Sequence, residues 1–157
     1  MYADGVYLGR SIGSVLDLVD VERVEALRGP QGTLFGRNST GGAINVISKK
    51  PEVGGGAYGN ITAGAGEEGY LLLRASVNLP LGDTAAFRAS ALKRERDGFI
   101  PVIAYDNLYL GAEDVQGVKA AFRWQPNDTF TLDWDADLTE REDSAAQIIG
   151  VEFIRGK

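Results

Sequence analysis

From Tyr70 onward, apolar and polar residues alternate with a period of two. Leu71, Leu73, Ala75, Val77 and Leu79 fall on one side, and Tyr70, Leu72, Arg74, Ser76 and Asn78 on the other. The pattern recurs with Ala85, Phe87, Ala89 and Ala91 against Arg88, Ser90 and Arg94, and with Val118, Ala120, Phe122 and Trp124 against Lys119 and Arg123. It is cleanest where Phe130, Leu132, Trp134, Ala136 and Leu138 oppose Thr131, Asp133, Asp135, Asp137 and Thr139. A weaker copy runs from Ala57 to Gly66, with Ala57, Ile61, Ala63 and Ala65 on one face. Period two predicts strands with one dry and one wet face, five in all. The dry face is the core of a soluble sandwich, or the lipid side of a membrane barrel whose wet face lines the lumen. Two features favour the barrel. The strands run about ten residues, near the 9–11 that a tilted membrane strand needs. The connections also alternate in length, with tight turns at Pro80–Asp83 and Gln125–Asp128 but about twenty residues between Arg94 and Gln116.

The first fifty residues read differently. Gly5 to Gly9 predicts a short strand, and Ser14 can cap a short helix over 14–20 carrying Val15, Leu16, Leu18 and Val19. Glu22–Arg28 and Ala43–Ser48 predict two more strands, the second closed by Pro51. The expected organisation is an α+β unit over 1–52 and antiparallel strands over 53–157. Residues 27 to 45, LRGPQGTLFGRNSTGGAIN, place much backbone freedom between two strands. A phosphate loop would need G-x-x-x-x-G-K-[ST] or G-x-G-x-x-G before a helix, and neither spacing is present. A flexible linker would lack the packing residues Leu34, Phe35, Ile44 and Val46. What remains is a pair of shaped turns in which glycine permits positive φ and close backbone approach.

Composition narrows the chemistry. A net charge of −6 and a sequence pI of about 4.7 offer no basic face for phosphates, so nucleic acid is not an expected partner. The chain has no cysteine and no histidine, which removes disulfides, thiol chemistry, and the commonest general base and metal ligand. No cofactor, metal site or catalytic residue is expected. Asp133, Asp135 and Asp137 resemble the opening of a calcium loop, but Leu138 and Ser144 stand where glycine and glutamate are needed. They read as a row facing a wet lumen. As neighbours on one strand face they also fail as a glycosidase pair. Asn38, Asn60 and Asn127 begin glycosylation sequons, a pattern common by chance. The start Met-Tyr-Ala-Asp-Gly has neither the basic nor the apolar segment of a signal peptide, so none is expected in this sequence.

Residues 20 to 51, DVERVEALRGPQGTLFGRNSTGGAINVISKKP, closely resemble the plug domain of TonB-dependent outer-membrane receptors. The features shared are an acidic-Arg strand, Leu-Arg-Gly-Pro, a Leu-aromatic-Gly turn, Gly-Gly, and an Asn-containing strand ending in Lys-Pro. DGVYLGR, residues 4 to 10, resembles the preceding plug strand. Ala26 departs from the pattern, since a larger aliphatic is more usual there. The resemblance implies the C-terminal part of a plug followed by the first strands of a transmembrane barrel. It implies active uptake of a nutrient chelate, ferric siderophores first, with cobalamin and glycans also carried by the family. Implied partners are outer-membrane lipid, the metal chelate and the TonB complex, whose contacting segment in the family precedes the plug. Barrels of this type close with about 22 strands, so the 157 residues are expected to be one piece of a larger protein.

With the plug leading in from the periplasmic side, both tight Pro-containing turns fall in periplasmic slots and the long loop lies outside. Trp124 and Phe130 would then flank a periplasmic turn on the lipid face, fitting an aromatic girdle. Glu22, Arg23, Glu25 and Arg28 are charges on a plug strand. They read either as a solvated face or, as the resemblance implies for Arg28, as partners of barrel-wall carboxylates. Gly29, Pro30, Gly36, Gly41, Gly42 and Asn45 are the expected plug-turn positions. Phe99, Tyr105 and Tyr109 in the long loop can stack on a ligand or can pack the loop itself. A soluble all-β binding domain is the competing reading, and a carboxylate hydrolase without histidine is a third.

Overall fold

The computed structural model describes residues 1–8, 19–32, 41–101 and 109–143. Alternation dictates its larger part. Strands β5 (Tyr58–Ala65), β6 (Leu71–Pro80), β7 (Ala85–Arg96), β10 (Glu113–Asn127) and β11 (Phe130–Asp143) form one antiparallel sheet in the order β11-β10-β7-β6-β5. Between β7 and β10, the two-residue strands β8 (Ile100–Pro101) and β9 (Tyr109–Leu110) pair as a small hairpin.

The N-terminal sheet has the order β2-β1-β4-β3, from β1 (Tyr2–Ala3), β2 (Val6–Tyr7), β3 (Val21–Arg28) and β4 (Gly42–Ser48). β1 runs parallel to β4, and β3 runs antiparallel to it. The stretch expected as one strand from Gly5 to Gly9 is instead part of a hairpin. Asp4 and Gly5 take positive φ, 47° and 83°, and turn the chain between β1 and β2. Helix is all but absent among the described residues, so the expected α+β unit is here a unit of strands and turns. The helix predicted over 14–20 falls mostly outside the described residues, and its last two positions, Val19 and Asp20, form a turn.

Two expectations in the large sheet need correction. The long loop is shorter than the alternation suggested, because β7 and β10 continue past their apolar stretches. Cross-strand ion pairs sustain that ladder: Arg94 with Glu113 at 2.7 Å and Lys93 with Asp114 at 2.8 Å. The β10–β11 turn also lies two residues later than read. Asn127 pairs with Phe130, and the register shift between Trp124 and Asn127 accommodates Pro126, which has no N–H for a regular ladder.

The sheet is inside out for a soluble fold. In β7 the buried residues are Ala86, Arg88, Ser90 and Leu92, while the apolar alternates point away from the N-terminal unit. Cross-strand register assembles those alternates into continuous rows: Gly59, Val77, Ala89, Ala120 and Ala136, then Ile61, Ala75, Ala91, Val118 and Leu138. Ile61 is 77% exposed and Leu138 73%. This apolar belt ends at one edge in Lys93, Gln116 and Glu140, where Gln116 Nε2 donates to Glu140 at 2.9 Å. At the other edge Trp124 and Phe130 meet edge-to-face, ring centroids 5.9 Å apart. Eight residue steps separate Trp124 from Gln116, about 27 Å of strand at about 3.4 Å per residue. Tilted by about 40°, that rises about 21 Å, somewhat less than the roughly 25 Å apolar band of an outer-membrane barrel.

Candidate functional site

The polar side of the large sheet carries the N-terminal unit, and the seam between them is the built feature of the molecule. Asp20 leaves the turn before β3 at φ 66°, a conformation that aspartate tolerates better than most residues. Its carboxylate accepts from Arg88 Nε and, at 2.8 Å, from Arg88 Nη2, while Ser90 Oγ donates to it at 2.6 Å. Arg88 is 3% exposed. Its Nη2 also reaches Ser76 Oγ at 3.1 Å, and its guanidinium lies 5.9 Å from the Tyr58 ring centre. Burial works to raise the Asp20 pKa. Hydrogen bonds from Arg88 and Ser90, with the charges of Arg88 and Lys49, outweigh it and hold the carboxyl below its ordinary value.

A second contact repeats the arrangement. Lys119, nearly buried in the sheet, donates to Ser48 Oγ at 2.6 Å and sits 3.7 Å from Asp4 Oδ2 and 3.6 Å from Asp135 Oδ2. Asp4 also accepts the Ser48 N–H at 2.9 Å, which ties the β1–β2 turn to β4. Its carboxyl too is held low: desolvation raises it, but the hydrogen bonds of Ser48 and the charges of Lys119 and Lys50 prevail.

Two more contacts lie where the chain passes from one sheet to the other. Lys50 is 3.7 Å from Asp133, which itself takes a two-pronged pair from Arg123. Asn78, fully buried, accepts the Glu52 N–H at 3.0 Å and donates to the Glu52 carbonyl at 3.1 Å. A cleft of about 570 Å³ opens beside these residues, lined by Glu22, Lys49, Lys50, Glu52, Arg123 and Gln125 among others.

The sequence-predicted positions divide across this geometry. Glu22 reaches the cleft between the two units. Arg23 pairs with Glu22 and, at 2.9 Å, with Glu25 on its own exposed strand, and the Arg28 carbonyl accepts from Gln31 at 3.4 Å. Among the described contacts, Arg23, Glu25 and Arg28 do not reach the five-stranded sheet. Asp4, Asp20, Ser48, Lys50 and Glu52 do, and reading the sequence missed them, since a lone Asp before a strand carries no mark of a distant arginine. Gly29 (φ 83°) and Pro30 turn the chain after β3. Gly42 has φ 139°, and a Cβ there would lie 2.5 Å from the Leu27 carbonyl oxygen, whereas Gly41 has open space. Asn45 is buried, with Oδ1 accepting the Gly5 N–H at 3.3 Å and Nδ2 donating to Glu25 at 3.3 Å. Gly36 and Tyr105 lie outside the described residues. Phe99 and Tyr109 are half exposed at the β8–β9 hairpin, and Arg96 stacks 4.6 Å from the Phe99 ring centre.

The arrangement binds two units through separable polar contacts, with no cluster of metal-ligating side chains among the described residues. The family model of the TonB-dependent receptor plug domain matches residues 1–43. The chain is 36% identical over 128 residues to the catecholate siderophore receptor Fiu of Escherichia coli O157:H7, an alignment covering 70% of this chain and 16% of that protein. The chain belongs to the TonB-dependent receptors.

Other relatives agree. The pesticin receptor of Yersinia pestis is 31% identical over 121 residues, covering 77% of this chain and 17% of the receptor. Among solved structures, the ferric yersiniabactin uptake receptor of Yersinia pestis superimposes with a TM-score of 0.77 at 28% identity, covering 88% of this chain and 22% of that one. The ferric-catecholate import receptor Fiu of E. coli K12 gives 0.71 at 26% identity, over 89% and 20%. This TonB-dependent receptor chain thus spans about a sixth of the length of the curated relatives it matches.

Proposed function

We propose that this chain is the plug end and first wall strands of an outer-membrane transporter that takes up a metal chelate, a ferric siderophore first, energised by a TonB complex. The observation that carries the reading is the inversion of the five-stranded sheet: its polar face is buried against the plug while its apolar face lies open. A soluble all-β domain would expose ten large apolar side chains across this belt, among them Ile61, Leu73, Val118, Trp134 and Leu138, a patch larger than soluble monomers tolerate. Lipid covers such a surface without penalty. The names of the relatives supply the ligand class, siderophore receptors, and the plug seam supplies the device. Apart from one apolar contact at Val19, its described contacts are ion pairs and hydrogen bonds, which water can replace as they part, so the plug can be drawn from the wall without tearing open an extended apolar core. The relatives are named as receptors, and the reading is transport, not catalysis.

Within this proposal Arg23, Glu25 and Arg28 face barrel wall on the side away from β7 and β10, with Arg28 pairing a wall carboxylate there, while Glu22 meets the wall at the cleft beside Arg123. Phe99 and Tyr109 stand on the outer side, on the chelate's approach. The test is fractionation of the intact receptor followed by uptake of a radiolabelled ferric siderophore panel. Outer-membrane recovery with TonB-dependent accumulation is expected. Recovery in the soluble fraction overturns the proposal, as does residues 1–157 alone folding to a soluble, cooperatively melting monomer.

A further inference from the structure

One point of the seam is built differently from the rest. Val19, Leu92 and Val115 are buried together with Leu72 packed against them, an apolar contact in a seam otherwise made of charges and amides. Val19 belongs to the plug and the other three to the wall. The wall residue beneath Val19 is Gly117, and a Cβ there would stand 2.8 Å from Val19 Cγ2 and 3.1 Å from Thr139 Oγ1. Gly117 does not have positive φ, so backbone freedom is not what it supplies. What it supplies is a hole. The next plug residue, Asp20, grips Arg88 and Ser90 one strand away, and its carbonyl accepts the Lys49 N–H at 2.9 Å.

We infer that Gly117 is a socket for the plug: Val19 enters it as a knob, and the adjacent Asp20–Arg88 pair fixes the knob's register. Gly117 and Val19 are then positioning residues of the transport cycle, acting through plug seating and not through contact with cargo. The apolar knob excludes water from the pair beside it, which strengthens the charge-assisted bonds. The ion pair in turn holds the turn at φ 66°, the conformation that presents Val19 to the hole. Neither half seats the plug alone, since the knob lacks direction and a wet ion pair lacks strength. The inference rests on the reading of a plug inside a wall.

The experiment uses the intact receptor in detergent and in cells. Gly117→Val should raise hydrogen exchange in the peptide carrying Lys49 roughly tenfold, equivalent to about 1.4 kcal/mol, and admit a bulky antibiotic normally excluded by the outer membrane. Adding Val19→Ala should bring both readouts back toward wild type, because the truncated knob leaves room for the new side chain. Should Gly117→Val fail to assemble, Gly117→Ala with and without Val19→Ala makes the same comparison. Additive effects in the double variant, or wild-type exchange in the single one, overturn the socket. Heat-modifiable gel mobility is read in parallel. If wild-type receptor lacks it, the barrel reading falls; if it is present and the rescue fails, only the socket does.

Discussion

The Asp20 carboxylate and the Arg88 guanidinium meet as a two-pronged pair across 68 residues of sequence, one partner on the plug and the other on the wall. Both are largely withdrawn from solvent. Removing one partner of such a pair strands the other, at a cost of about 3–5 kcal/mol where burial is complete. Arg88→Met in the intact receptor should therefore loosen the plug more than Arg23→Met, whose guanidinium pairs, among the described residues, within its own exposed strand. Limited proteolysis of the plug checks this, and equal protection in the two variants would contradict the ranking.

Acid should weaken the same seam. Asp20 and Asp4 both have carboxyls held below their ordinary value in the folded protein. A lowered folded pKa contributes stability that is fully present above the unfolded pKa, about 3.9, and is lost as pH falls through the folded value. Plug protection should hold steady from about pH 5 to 8 and fall below about pH 4. Asp20→Asn should reduce both the neutral-pH protection and the size of that acid loss. A pH profile of plug proteolysis identical to wild type would refute the assignment.

The two glycines of the Gly41-Gly42 pair should differ. At Gly42, φ of 139° and a Cβ position 2.5 Å from the Leu27 carbonyl leave no room for a side chain. Gly42→Ala should cost about 1–3 kcal/mol of plug stability. Gly41→Ala meets nothing within 4 Å and should stay near neutral. Hydrogen exchange over β3 and β4 separates the two.

Adjacent residues on β5 test the membrane face. Ile61→Arg puts a guanidinium in the middle of the apolar belt, at about 2–4 kcal/mol near the bilayer midplane. Asn60→Arg points the same group into the wet interior, sacrificing one hydrogen bond from Ser76. Assembly judged by heat-modifiable mobility should fail or slow for the first and persist for the second. Ser76→Arg is a poorer control than the alternation alone suggests, because Ser76 Oγ receives Arg88 Nη2.

The sequence by itself determined the strands of the wall and the face each residue takes. Side-chain direction alternates strictly along a strand, so Ile61, Val77, Val118 and Trp134 could be assigned to the outer face without coordinates. It also determined the family, through the ordered glycines and charges of residues 20 to 51, and the need for glycine at Gly42. Tertiary structure decided which polar residues do the holding. Lys119, Arg88 and Asn78 look alike as wet-face residues in the pattern. Only the docking of the plug distinguishes those that meet Asp4, Asp20 and Glu52 from Arg74, which has no such partner described. It also decided that β10 begins at Glu113, because paired charges across strands prolong a ladder beyond its apolar residues. The role of Gly117 was hidden for the same reason. A missing side chain is silent in the sequence until a neighbour from elsewhere in the chain, here Val19, is found filling its space.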